Sequence, residues 1–236
     1  MNEPFCTSTG LPIPTLTPAQ VTRWWASVAH AGLSQAVWVE TAGRSGAMLT
    51  LGWLGEDWQV GRVVVLVGNG VTGSVVLSAA RHLANRCLNV RVWLNPEILD
   101  NQFLQNQYNL YQKTGAQRVD LAELTGETAA VVVVGSDTPL PPEIWCWVAE
   151  SGAEVLRVGA MLDGTAAATL VLGLPVTETP YGGQLYLADV GVPLAVYEQL
   201  GLYHRFVFGN QYIIPMYQRE EGGLDLGAEI ATPPDC

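Results

Sequence analysis

The chain has 236 residues, 49% of them hydrophobic, and a formal net charge of −11 with Lys113 as its one lysine. That length suits one globular domain able to bury most of the surface its unfolded form exposes. The acidic balance, with no basic patch, argues against nucleic-acid and anionic-membrane partners and fits a solubility role for the charge. The cysteines Cys6, Cys87, Cys146 and Cys236 are scattered, with no CxxC pair and no histidine at metal-ligand spacing. Neither a disulfide framework nor a metal site is expected, and a reducing, cytoplasmic setting is. The opening "MNEPFCTSTG" lacks the basic and apolar regions of a signal peptide, and apolar runs such as residues 129–134 fall far short of the ~20 residues of a membrane helix.

Taken in chain order, residues 1–16 read as an arm rich in Thr, Pro and Gly. Thr17, Pro18 and Gln20 give a cap, a first-turn proline and a capping box, so a helix is expected to about Gly32. Ser34 can cap a second helix, whose Ala42, Gly43, Gly46 and Ala47 invite another backbone to approach closely. The run "RVVVLV" at residues 62–67 has the continuous β-branched character of a strand buried on both faces. A helix over 71–86 follows, then a strand over 89–94 and a helix from the Asn95-Pro96-Glu97 start to about Lys113. Strands are expected over 117–120, 129–134, 154–158, 167–172 and 184–189, with helices over 141–150 and 194–200. This alternation predicts an α/β fold, a mostly parallel sheet covered on both faces. The aromatic stretch 206–218 is expected to pack back on the domain or on a partner subunit, and the Gly- and acid-rich tail from Gly222 to be mobile. The eight tryptophans read as core or interface. Adjacent Trp24 and Trp25 cannot face the same core, so one should meet another element or subunit.

The first strand-to-helix turn, "VGNGVTGS", carries Gly68, Gly70 and Gly73 at G-x-G-x-x-G spacing. Such a turn permits close ligand approach, and the free N–H groups of a helix start favour an anion. Gly68, Asn69, Gly70, Thr72, Gly73 and Ser74 are therefore the candidate ligand-binding residues. The acid expected about twenty residues on is replaced by Trp93, Leu94 and Asn95, and no Gly-Lys-Ser/Thr occurs, so the plain NAD fingerprint is incomplete and a P-loop is excluded. The competing reading is that the glycines only form the turn and pack the helix.

Three segments together resemble the YjeF N-terminal-domain family, the NAD(P)H-hydrate epimerases. "LTPAQVTRWWASVAHAGLSQAVWVETAGR" is similar to its opening helices with their "MENAGR" signature. "VVVLVGNGVTGSVVLSAARHL" resembles its strand, "GxGNNGGDG" loop and "AARHL" helix. "GGQLYLADVGVPLAVYEQLGL" resembles its terminal "ADIGIP…VYE" segment. The resemblance covers about residues 16–202 and implies a Rossmann-like three-layer α/β/α sandwich, usually homodimeric. It divides the chain into an arm (1–16), a YjeF N-terminal-like domain (17–202) and a C-terminal extension (203–236). The family also includes non-enzymatic dimerisation modules in RNA-associated proteins.

Scaffold positions match and polar ones do not. Alignment on Ala79-Ala80-Arg81-His82-Leu83 puts the family's loop asparagines on Val71 and Thr72, and its loop aspartate on Val75. The aspartate after its fourth strand falls near Val133, and its catalytic aspartate on Gly159. Valine and glycine side chains can neither move a proton nor help hold a cation. No catalytic residue is assigned; Asp137 and Asp163 are weak candidates, each also readable as turn chemistry in Ser-Asp-Thr-Pro and Asp-Gly. His82 reads as helix packing, His30 as a helix-end residue, His204 lies beyond the family-like region, and Asp189 shapes a strand end. The expectation is a non-catalytic, homodimeric module for a nucleotide-like ligand, NAD(P)H-hydrate or another nucleotide, acting in regulation or as a scaffold whose C-terminal extension docks a protein partner. The alternative is an NAD(P)H-hydrate epimerase with displaced catalytic residues.

Overall fold

A computed structural model describes residues 4–86, 88–96, 102–126, 128–160, 162–202 and 207–219. The expected mobile tail, His204, Cys87, Cys236, Glu97 and Phe206 lie outside the described residues. The elements are β1 (Phe5–Cys6), α1 (Pro18–His30), α2 (Gln35–Leu54), β2 (Arg62–Val67), α3 (Gly70–Ala84), β3 (Asn89–Leu94), α4 (Gln102–Gln112), β4 (Gln117–Arg118), α5 (Leu121–Leu124), β5 (Val131–Gly135), α6 (Pro142–Ser151), β6 (Glu154–Val158), β7 (Ala168–Leu172), β8 (Gln184–Ala188), α7 (Leu194–Gln199) and β9 (Ile213–Gln218). A 3-10 turn at Gly55–Gln59 closes α2.

The strands form one sheet in the order β1-β9-β8-β7-β6-β5-β2-β3-β4. From β8 to β4 every pairing is parallel, while β9 runs antiparallel to both β8 and β1. The run at 62–67 alternates faces with period two. Val63, Val65 and Val67 join a core with α2, α3 and α4, and Val64 and Leu66 join a second core with Ile144, Trp147 and Val148 of α6. Both faces are thus covered, which is what a continuous apolar strand requires. The result is a Rossmann-like α/β/α sandwich.

Close helix packing follows the small residues of α2. A side-chain carbon at Gly43 would overlap Ser78 of α3, and one at Gly46 would already touch Ala79. In α1, Gln20 Oε1 accepts the Thr17 N–H at 2.8 Å, one half of the reciprocal cap. Trp24 and Trp25 diverge as their spacing demands: Trp24 is buried edge-on to Tyr197 of α7, and Trp25 stacks on Trp38 of α2 at 4.4 Å between ring centres.

Two segments depart from the sequence reading, and a third holds a strand that the reading did not place. The stretch marked as an arm holds β1, which pairs with β9, and buries Phe5, Cys6, Ile13 and Leu16. The strand placed at 117–120 stops at Arg118, because the Asp120 N–H donates to Glu123 Oε2 at 2.7 Å and opens α5. The aromatic stretch 206–218 contributes β9, with Ile214 and Met216 buried against Phe5, Val171 and Leu187. From residue 207 it packs back on the domain itself.

Candidate functional site

Strand order reverses at β2. The chain leaves β2 through α3 to reach β3 on one side, and later enters β5 on the other. In open α/β sheets the crevice beyond the carboxyl ends of the strands at such a switch point is where ligands bind. The turn after β2 carries Gly68 to Gly70, and the turn after β5 carries Ser136 and Asp137. The Asp137 N–H donates to the Asn69 carbonyl at 2.9 Å, tying the two turns together.

That juxtaposition fixes the Asp137 side chain. Its Oδ2 accepts the Val71 backbone N–H at 2.6 Å, and its Oδ1 accepts the Thr72 hydroxyl at 2.7 Å. The N-terminus of α3 therefore holds a carboxylate supplied by the chain. Asn69 Oδ1 accepts the Gly70 N–H at 2.7 Å, so a second free amide of the first turn is also taken. Gly70 has φ +82°, and a side-chain carbon there would collide with the Asp137 carboxylate. Glycine is thus required twice at this position, for its backbone conformation and for the room it leaves.

Beside this turn lies a cleft of about 820 Å³. Its walls are Val21, Trp24, Trp25, Trp38, Leu174 and Tyr181, with Thr22, Gln35, Thr72 and Thr179 as neutral polar groups. Asp137 is the one charged side chain among the described residues that line it. The Trp24 indole N–H is buried in this wall and has no hydrogen-bond partner among the described residues.

Of the six candidate ligand residues, Thr72 lines the cleft. Gly68 is buried against Ser136 and Leu140, Gly73 packs on the Gly68 carbonyl, and the buried Ser74 donates to the Gly70 carbonyl at 3.4 Å. Asn69 and Gly70 form the turn held by Asp137. Val75 and Val76 do not plug the cleft: both are fully buried in the sheet core, and only Val71 reaches the cleft wall. Val133 is in the same core. The cation implied by the resemblance does not fit these positions, since Thr72 alone among Val71, Thr72, Val75 and Val133 offers a side-chain oxygen. Among the described residues no group of three or more His, Cys, Asp or Glu could hold a metal ion, and no helix is long and apolar enough to cross a membrane.

Asp163, Asp189, Glu40 and His82 have structural partners. Asp163 Oδ2 accepts the Leu140 N–H at 2.6 Å, and its Oδ1 pairs with Arg157 at 2.8 Å. Arg157 is 1% exposed, also donates to the Asp163 and Ala160 carbonyls, and lies 5.2 Å from the Trp145 ring centre. Gly159, where the resemblance puts the family's catalytic aspartate, has φ +87°, and a side-chain carbon there would sit 2.8 Å from Thr72 Cγ2. Asp189 Oδ1 accepts the Gly191 N–H at 2.8 Å. Glu40 of α2 bonds Ser78 and Arg81 of α3 and lies 2.8 Å from His82 Nε2. Burial pushes the Glu40 carboxyl up, but the Arg81 and Ser78 hydrogen bonds and the Arg81 charge outweigh it and hold it below the ordinary range. Burial, helped by Arg81 and Arg86, holds His82 below the ordinary histidine value against the pull of Glu40.

The aromatic wall was not legible beforehand, although the Trp24-Trp25 adjacency pointed to a surface beyond one core. Nothing in the sequence marked Arg157 as buried.

Residues 35–136 match the family described as YjeF-related protein N-terminus. The chain is 26% identical over 240 residues to the protein named Enhancer of mRNA-decapping protein 3 of Macaca fascicularis, an alignment covering 92% of this chain and 47% of that protein. It thus spans about half the length of the curated relatives of that name. It is 31% identical over 206 residues to the NAD(P)H-hydrate epimerase of Dehalogenimonas lykanthroporepellens, covering 78% of this chain and 84% of that enzyme. Its fold matches the crystal structure of yeast ynu0, YNL200c, with a TM-score of 0.69 at 14% identity, over 85% of this chain and 99% of that one.

Proposed function

The chain belongs to the YjeF-related N-terminal family, and from that premise we propose that it is a non-catalytic member. It is a homodimeric, cytoplasmic module that holds a small nucleotide-like ligand in the cleft beside the β2 and β5 turns and serves regulation or assembly. The observation that carries this reading is the state of the Asp137 carboxylate at the cleft. Both oxygens of Asp137 are engaged by the first turn of α3, and the family's catalytic position is Gly159. Epimerisation of a hydrated nicotinamide needs a group that can move a proton within hydrogen-bond reach of the substrate. Gly159 has none, and its positive φ and the neighbouring Thr72 leave no relaxed place for one. The likeness to proteins named for enhancing mRNA decapping supports assembly as the role. A protein partner would be met through the C-terminal extension beyond β9, since β9 itself is built into the sheet.

The test is interconversion of the R and S hydrates of NADH. The purified protein is expected to leave the spontaneous rate unchanged, while a cleft ligand raises its melting temperature by mass action. The second reading, an epimerase using Asp137, is favoured by the 31% identity with a protein named for that activity. Acceleration by the wild type that Asp137→Ala abolishes would replace the first reading with this one.

A further inference from the structure

We infer that Asp137 sets the charge preference of the cleft, so that the nucleotide-like ligand it accepts is a nucleoside, a base and sugar without phosphate. The inference rests on the reading of the cleft as a ligand site and names what that site accepts. A helix N-terminus attracts an anion because its amides are unpaired and its dipole is positive there. At α3 that place is filled. The Asp137 carboxylate takes the Val71 N–H and the Thr72 hydroxyl, and Gly70 is shaped to admit it.

A ligand phosphate approaching this turn would have to displace a tethered carboxylate or sit beside it. Displacement forfeits two hydrogen bonds to an ionised group, and coexistence brings two like charges together with little else to offset them. Among the described residues lining the cleft there is no arginine, lysine or histidine to compensate. What the cleft does offer suits an uncharged ring. Trp25 and Trp38 stack at its wall, Tyr181 adds a third aromatic ring to the lining, and Thr22, Gln35 and Thr179 supply neutral donors and acceptors. The volume of about 820 Å³ is ample for a base and a sugar.

The experiment compares adenosine with adenosine monophosphate, by calorimetry or thermal shift, on the wild type, Asp137→Ala and Asp137→Asn. The wild type is expected to prefer adenosine by roughly tenfold, and Asp137→Ala to abolish or invert that preference by freeing the Val71 N–H. Asp137→Asn keeps an acceptor for that N–H while deleting the charge. It is expected to narrow the preference, and it carries the comparison if the alanine variant folds poorly. A wild type that binds the monophosphate as tightly as adenosine, or a preference that neither variant moves, overturns the inference. If neither compound binds the wild type, the ligand reading of the cleft fails separately. Inorganic phosphate, titrated at matched ionic strength, then decides the role of Asp137. A phosphate-dependent rise in melting temperature that Asp137→Ala gains over the wild type upholds it, and equal responses overturn it.

Discussion

Asp137 follows β5 and Asp163 follows β6, neighbouring parallel strands, and both read in the sequence as turn acids. Their fates differ because of what surrounds them. Asp163 pairs with a guanidinium that is 1% exposed and stacked on Trp145. Asp137 is solvent-exposed at the cleft and pairs with the first turn of a helix. The first carboxylate neutralises a charge that water cannot reach; the second completes a surface that water can. A place at a strand's carboxyl end therefore gives an acid no single role. What decides is whether its oxygens have somewhere else to go.

The sharpest way to break this contrast is Asp163→Ala. It leaves Arg157 charged and buried with its carboxylate gone, and breaking such a pair costs about 3–5 kcal/mol. Denaturant unfolding should show a loss of that order with an unchanged m-value. A loss below about 1 kcal/mol would mean that Arg157 is solvated in solution and that the two acids are alike after all.

The helix interface comes next. Gly43→Val forces a branched side chain into the space occupied by Ser78, and overpacking of this kind costs about 1–3 kcal/mol. If α2 and α3 pack this closely in solution, Gly46→Ala should cost less, because its added carbon meets Ala79 at an ordinary 3.6 Å. Asp137→Ala should cost least of these, about 1 kcal/mol, as the loss of a partly exposed cap at a helix start. The ratio of the Asp163 to the Asp137 effect measures the contrast between the two acids directly.

Much of this architecture was legible because its strands are simple. The bounds of β2, β3 and β6 coincide with those read from sequence, since each is a short run rich in β-branched residues or leucine between turn signals. β9 was hidden by Pro215, a residue that argues against an interior strand. It is tolerated because β1 pairs only with Tyr217 and Gln218, leaving β9 an edge at Pro215 on that side. β1 itself is two residues long and exists through that pairing. At the site, the valines and glycines that stand where the resemblance places acids and amides are plain in the sequence. The replacement for them could not. Asp137 meets Val71 across 66 positions of chain, a contact created by sheet order and invisible to local pattern. The tryptophan wall likewise joins Trp24 and Trp25 of α1 to Trp38 of α2.

The smallest expected effect lies away from both acids, in the Glu40–His82 pair that joins α2 to α3, and its sign can be worked out. Burial holds folded His82 below the ordinary histidine value of about 6.5, with Arg81 and Arg86 acting the same way and Glu40 opposing. As pH falls through that value the unfolded chain takes up a proton that the folded chain still resists, so stability declines. Folded Glu40 is held below the ordinary glutamate range, so its contribution is intact above that range and is lost on further acidification, in a second and lower step. The contribution of His82 is thus present at neutral pH and fades below about 6.5, before any carboxylate in the ordinary range is protonated. His82→Gln should flatten the decline in melting temperature between about pH 7.5 and about pH 5.5 while leaving the lower step in place. An unaltered slope in that window would show that the imidazole is as free to protonate in the folded protein as in the unfolded chain, and that the contact between α2 and α3 is looser at Glu40 than at Gly43.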